Sequence, residues 1–260
     1  MLIEPNKKYI PSLISLWNRV FGDSEEYIRL FFKKAYYDSE CFAEINDGEI
    51  VSAFFLLKCK INYKGNSYCG RYLYAAATSA EFRGKGIMSS LIKEAVAYCE
   101  SQKLDFIALV PADDGLYNFY KGFGFCESMV KYKYTAEKSV STLNAFGEIT
   151  DSDEFIRIRN SSDCDMLIYS DVCNEYAFEC LRFTETSVFA LGDSAYYAED
   201  EELFCSDSDT AMSLINSLCG KNEIYTNCAL DGAEKIRNGM IYCFNNDIEF
   251  KDVYMNIALD

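Results

Sequence analysis

The chain has 260 residues, half of them apolar, with only three prolines and a formal net charge of −16. That length holds one large domain or two small ones, and the composition supplies a core and excludes wholesale disorder. The acidity repels phosphate backbones, which argues against nucleic acid; it can attract cationic amines, and its plainest role is to keep the chain soluble.

Pro11 opens a helix with Leu13, Ile14, Trp17, Val20 and Phe21 on one face, and Gly22 ends it. Ser24, followed by Glu25 and Glu26, caps a second helix striped by Ile28, Phe31, Phe32 and Ala35. Cys41 to Ile45 reads as a strand, and Asn46-Asp47-Gly48-Glu49 turns it into a longer one from Ile50 to about Ile61. Lys64-Gly65-Asn66 is another turn, before a strand from Tyr72 to Thr78. Met88, Leu91, Ile92, Ala95, Val96 and Cys99 stripe the next helix. Asp105 to Val110 is a short buried strand, Leu116 to Lys121 a short helix, and Phe125 to Tyr134 a final alternating strand. This order predicts an α/β fold of the mixed α+β kind, a mixed sheet with helices on both faces.

A polar stretch follows, and residues 137–147 read as a linker between a domain of 1–136 and a smaller α/β domain of 148–260. In the latter, Tyr196–Ala198 and Glu202–Cys205 read as strands, and Asp209 as the cap of a helix striped by Ala211, Leu214, Ile215 and Leu218. Ile224–Leu230, Met240–Phe244 and Val253–Leu259 read as strands that close the chain. The strand–helix–strand rhythm repeats that of the first half without shared residues.

No histidine occurs, which removes Ser-His-Asp and Cys-His triads and imidazole metal ligands together. The twelve cysteines form no C-x-x-C pair and most fall in apolar patterns, so no metal is expected. Met1-Leu2-Ile3-Glu4-Pro5 lacks the charged start and apolar core of a signal peptide, and no run reaches the ~20 apolar residues that span a membrane. A reducing cytoplasm is the expected location, with no membrane partner.

The most telling stretch is Ala76-Ala77-Thr78-Ser79-Ala80-Glu81-Phe82-Arg83-Gly84-Lys85-Gly86-Ile87-Met88, an apolar strand that runs through a glycine-rich turn into a helix. Such a turn aims free N–H groups and the positive helix end at one spot, which suits a pyrophosphate, and Arg83 and Lys85 make that spot basic. Arg83-Gly84-Lys85-Gly86-Ile87-Met88 resembles the R-x-x-G-x-G/A acetyl-CoA loop of the GNAT superfamily of N-acetyltransferases. Leu116-Tyr117-Asn118-Phe119-Tyr120-Lys121-Gly122-Phe123-Gly124-Phe125 is similar to that family's later helix, which ends in Y-x-x-x-G-F. The chain thus resembles a bacterial two-domain GNAT protein with a degenerate GNAT-like second half. Met88 departs from the pattern, standing where the family usually has glycine or alanine.

The resemblance implies an acetyl-CoA co-substrate lying along Ala76, Ala77 and Thr78 like an added strand, with its phosphates near Arg83, Gly84, Lys85, Gly86, Ile87, Met88 and Ser89. It implies that Tyr120 protonates the leaving thiolate, although a buried tyrosine there can also be core, and that Asn118 bonds either the cofactor or solvent. The acceptor is a small-molecule or peptide primary amine, for which the net charge favours cations; an oligomer is compatible with the sequence. Glu25, Glu26, Tyr27 and Tyr36 lie where the family often shapes its acceptor site, or form an exposed helix end. No general base is visible: the family's strand glutamate falls near Gly70 and Arg71, Glu81 is only close in sequence, and a water chain serves equally well. A catalytically inactive acyl-CoA-binding module is the alternative function. The counterpart loop of the second half reads Cys205-Ser206-Asp207-Ser208-Asp209, whose carboxylates repel a pyrophosphate, so that half is expected not to bind CoA.

Overall fold

The structure is a computed structural model and describes residues 1–135, 147–161, 164–198, 201–205, 207–217, 223–245, 247–255 and 259. The first stretch runs β1 (Leu2–Ile3), α1 (Ile10–Phe21), α2 (Glu25–Lys34), β2 (Glu40–Asn46), β3 (Glu49–Tyr63), β4 (Asn66–Thr78), α3 (Ile87–Ser101), β5 (Phe106–Leu109), α4 (Asp114–Lys121) and β6 (Cys126–Thr135). There follow β7 (Gly147–Glu148), α5 (Ser152–Asn160), β8 (Met166–Tyr169), α6 (Asp171–Phe183), β9 (Val188–Leu191), β10 (Ser194–Tyr197), β11 (Glu202–Phe204), α7 (Ser208–Ser217), β12 (Glu223–Thr226), β13 (Glu234–Cys243) and β14 (Val253–Tyr254).

Local chemistry sets most boundaries of the first half where the sequence predicts them, except that β4 begins at Asn66 and not at Tyr72. Gly22 ends α1 in the left-handed region, φ 81°, and the Ser24 hydroxyl accepts from the Tyr27 N–H to start α2. Asp47 and Gly48 both take positive φ, 51° and 85°, which fits the twist of a two-residue hairpin pairing Asn46 with Glu49. Apolar stripes then decide the layers. Helices α1, α2 and α6 share one buried cluster with one face of the strands, and α3 and α4 share another with the opposite face. Trp17, Phe31 and Phe55 meet in the first cluster with ring centroids 4.5–6.0 Å apart, each ring contributing about 2–3 kcal/mol by its burial. Buried thiols such as Cys41 and Cys99 act as small apolar groups, and burial pushes both up to about 12.

The sheet is mixed, in the order β1-β2-β3-β4-β5-β13-β6-β12-β11-β10-β9-β7. Its first four strands are antiparallel, β4 and β5 are parallel, and β13 lies antiparallel between β5 and β6. A strand from the end of the chain therefore completes the sheet built by residues 1–135. Gly239 permits this: a Cβ there would lie 2.8 Å from the Leu109 carbonyl oxygen and 2.2 Å from the Met129 side chain. Strand β8 joins β3, and β14 joins both β8 and β6, so β3, β4, β5, β13, β6, β14 and β8 close into a ring. Tyr72, Phe106, Met129, Leu167 and Ile241 from that ring belong to one buried cluster, with Phe250 from the connection between β13 and β14.

The second half corrects several expectations. Asp207, not Asp209, caps α7: its carboxylate accepts from the Thr210 N–H and hydroxyl, both at 2.8 Å. The strand expected over Ile224–Leu230 ends at Thr226, and that over Met240–Phe244 begins earlier, at Glu234. Helices α5 and α6 lie where no element is predicted. Almost all of the 137–147 linker, and Leu218 at the end of the α7 stripe, fall outside the described residues. Among the described residues no helix is long and apolar enough to cross a membrane.

Candidate functional site

Strand β4 is the backbone of the site. It pairs with β5 only from Gly70 to Tyr72, then runs on to Thr78 while β5 stops at Leu109. Beyond Tyr72 its second edge has no strand beside it among the described residues. Within this free stretch the register slips: Ala53 faces Ala77 and Phe55 faces Tyr74, leaving Ala75 and Ala76 opposite one residue. This is a β-bulge, and Ala75 carries it with φ 51°, a left-handed value that costs a non-glycine residue energy. The bulge resets the side-chain alternation. Tyr74 and Ala75 both pack towards α1 and α2, and Ala76 turns towards α3 and α4.

The turn after β4 is held open by its own bonds. Arg83 Nε donates to the Thr78 carbonyl at 3.0 Å, and the Lys85 ammonium sits 4.7 Å above the Phe82 ring. Gly84 and Gly86 have φ 73° and 77°, values that favour glycine, and a Cβ at either would meet nothing within 4 Å. Helix α3 starts at Gly86 with no side-chain cap, so the first N–H groups, at Ile87, Met88 and Ser89, face outward without a capping oxygen. The space, the basic pair and the uncapped helix end suit a phosphate-bearing ligand.

Ile87 and Met88 in the first turn of α3, Ala76 at the bulge and Tyr120 on α4 pack into one cluster. Tyr120 is 6% exposed, its ring beside Phe119 and Phe125, and burial pushes its hydroxyl up to about 12. It is therefore a fully protonated phenol at neutral pH. Asn118 lies two residues away on the exposed side of α4. Met88 is half-buried and packs against the same cluster.

Thr78 is fixed from β3: the buried Ser52 hydroxyl meets Thr78 Oγ1 at 2.8 Å and donates to the Ala77 carbonyl at 3.1 Å. Arg19 of α1 donates to the Ser79 hydroxyl at 3.4 Å, which ties the first helix to the end of β4. Neither residue is predicted to belong to the site. Ser52 is a polar residue inside the apolar run Ile50–Leu57, and that was the available signal.

The acceptor side divides. Tyr36 is 0% exposed, with its hydroxyl accepting from the Asn6 N–H, so it is core and not an acceptor residue. Glu25 is exposed and pairs with Arg29 one turn on. Tyr27 is half-buried, 5.5 Å from the ring of Phe183 at the end of α6. Arg71, at the strand position that corresponds to the family's glutamate, makes a two-point ion pair with Glu40 at 2.7 and 2.8 Å. Glu81 is exposed.

Residues 2–127 match the acetyltransferase (GNAT) domain family, and the bulged, diverging β4 and the glycine turn fall inside that match. Residues 2–127 are a GNAT acetyltransferase domain. The fold extends beyond it. A GCN5-related N-acetyltransferase from Kribbella flavida aligns over 94% of this chain and 71% of its own, at 15% identity and TM-score 0.65. One from Anabaena variabilis aligns over 94% and 73%, at 12% identity and TM-score 0.64. Eis1 from Mycobacterium abscessus aligns over 93% and 72%, at 8% identity and TM-score 0.64. At such identities the likeness is one of fold, and it takes in both halves of the chain. No curated protein matches the sequence.

Proposed function

We propose that this GNAT protein is an acetyl-CoA-dependent N-acetyltransferase acting on a primary amine. The observation that carries the reading is the divergence of β4 from β5, which leaves a free, bulged strand edge between an uncapped helix end and a buried tyrosine. The pantetheine arm lies along Ala76, Ala77 and Thr78 as an added strand. The pyrophosphate meets the N–H groups of Gly84 to Ser89 and the charges of Arg83 and Lys85.

The amine loses its proton, because an alkylammonium with pKa near ~10.4 has no lone pair to attack with. It adds to the thioester carbonyl, and a backbone N–H of the Ala75–Ala76 bulge receives the developing oxyanion. The C–S bond breaks as the intermediate collapses, and Tyr120 gives its proton to the thiolate. The resulting phenolate regains a proton from solvent. Holding both reactants together contributes through orientation. With Arg71 bound to Glu40, the amine's proton leaves to water.

The test is thiol release from acetyl-CoA with a panel of primary amines, cationic ones first, beside a titration with acetyl-CoA alone. Turnover with at least one amine establishes the transferase. Binding without turnover across the panel contradicts it and leaves an acyl-CoA-binding module. No binding contradicts both.

A further inference from the structure

The bulge in β4 has a support that comes from the far half of the chain. Tyr74 directly precedes the left-handed Ala75, and its side chain points away from α3, into the layer of α1, α2 and α6. There its hydroxyl meets the hydroxyl of Tyr176, on α6, at 2.8 Å. Both residues are essentially fully buried, at 2% and 0% exposure. A buried hydroxyl without a partner is costly, so each phenol holds the other in place. The rings around them leave little slack: Trp17 stands edge-on to Tyr74 at 5.3 Å, and Phe31 lies 5.6 Å from Tyr74 and 5.5 Å from Tyr176.

Helix α6 is itself anchored on several sides. Ser170 caps it and also bonds Asp38, which follows α2. Asn174, fully buried, bonds both the Tyr169 carbonyl and Arg159 at 2.9 Å. Lys34 of α2 pairs with Glu175 and Glu179 on α6. A strained residue such as Ala75 keeps its conformation only where its surroundings over-determine it. Among the described residues the strand beyond Tyr72 is paired on one edge only, with β3.

We propose that Tyr176 is a positioning residue for acyl transfer, acting through the Tyr74 hydroxyl to fix the Ala75–Ala76 bulge against the acetyl carbonyl. This rests on the reading of the site as an N-acetyltransferase. It gives the second half a part in the chemistry although that half carries no cofactor loop of its own.

The experiment compares Tyr74→Phe, Tyr176→Phe and the double variant in the full chain, by steady-state kinetics and by amide hydrogen exchange over Tyr74–Thr78. Phenylalanine keeps the packing and removes the hydroxyl, which in Tyr176→Phe also takes away its contacts with Tyr27 and Cys180. Each single variant is expected to lower kcat by about tenfold or more, the cost of a slightly displaced group, with KM for acetyl-CoA within about twofold. The double variant is expected to be no worse than Tyr176→Phe, because the Tyr74 hydroxyl acts through that same bond, and exchange at Ala75 and Ala76 speeds up in all three. Unchanged kcat in Tyr176→Phe, whatever happens to its melting temperature, overturns the proposal; so do fully multiplicative losses in the double variant. If the wild-type protein turns over no amine, the functional reading has failed instead. Exchange at the bulge, which needs no substrate, then still decides whether Tyr176 holds it: unchanged exchange overturns the link.

Discussion

Two of the junctions at which a strand feeds a helix, β4 to α3 and β11 to α7, are built oppositely. At the first, β4 leaves its parallel neighbour, bulges at Ala75–Ala76 and enters α3 through Gly84 and Gly86 with no capping side chain. At the second, β11 stays paired on both edges, with β10 and β12, and Asp207 caps α7 with its carboxylate. A capped helix between paired strands has spent its donors on its own stability. An uncapped one beside an open strand edge keeps them for a ligand, which is why binding is assigned to the first junction alone.

The comparison can be broken at its chemical end first. Tyr120→Phe is expected to lower kcat by about 100-fold or more, with acetyl-CoA binding within about twofold, in rapid-quench and calorimetric measurements. Because burial holds Tyr120 near 12, it stays protonated below that pH and remains competent as an acid. The rate of the wild-type protein therefore rises with pH as the amine deprotonates, and no falling limb from Tyr120 is seen below about pH 11 in a pH–rate profile.

The next test moves one junction's device to the other. Gly86→Asp puts a carboxylate cap at the start of α3 and strains a left-handed position, and it is expected to weaken acetyl-CoA binding about 30-fold by calorimetry. The reverse change, Asp207→Ala, is expected to cost about 1 kcal/mol of stability in urea denaturation and to leave acetyl-CoA affinity unchanged. The smallest effect is expected for Arg83→Ala, an exposed side chain: about threefold weaker binding, a difference that shrinks as salt is raised. A larger and salt-independent loss would mean that Arg83 acts by bonding the Thr78 carbonyl and shaping the turn.

The first junction was legible because its signals are local. Glycines at left-handed positions, a basic pair and a striped helix all lie within one short stretch, and the sequence pattern alone predicts β2 to β6. The bulge was not legible: Ala75, Ala76 and Ala77 are identical letters, and only the pairing of Phe55 with Tyr74 shows that the register slips. Nor does periodicity show that β13 lies between β5 and β6, because alternation marks a strand without naming its neighbours. Helix α6 could have been found. Ser170 and Asp171 followed by Cys173, Tyr176, Ala177, Cys180 and Leu181 make a cap and an apolar stripe. Its bond to Tyr74 is a tertiary fact that no spacing reveals.

The most direct measurement is hydrogen exchange across the whole chain with and without saturating CoA. The account predicts protection concentrated in Leu73–Thr78 and Arg83–Ser90, with none at the β11–α7 junction. Equal protection at both junctions, or protection at the second alone, would contradict it.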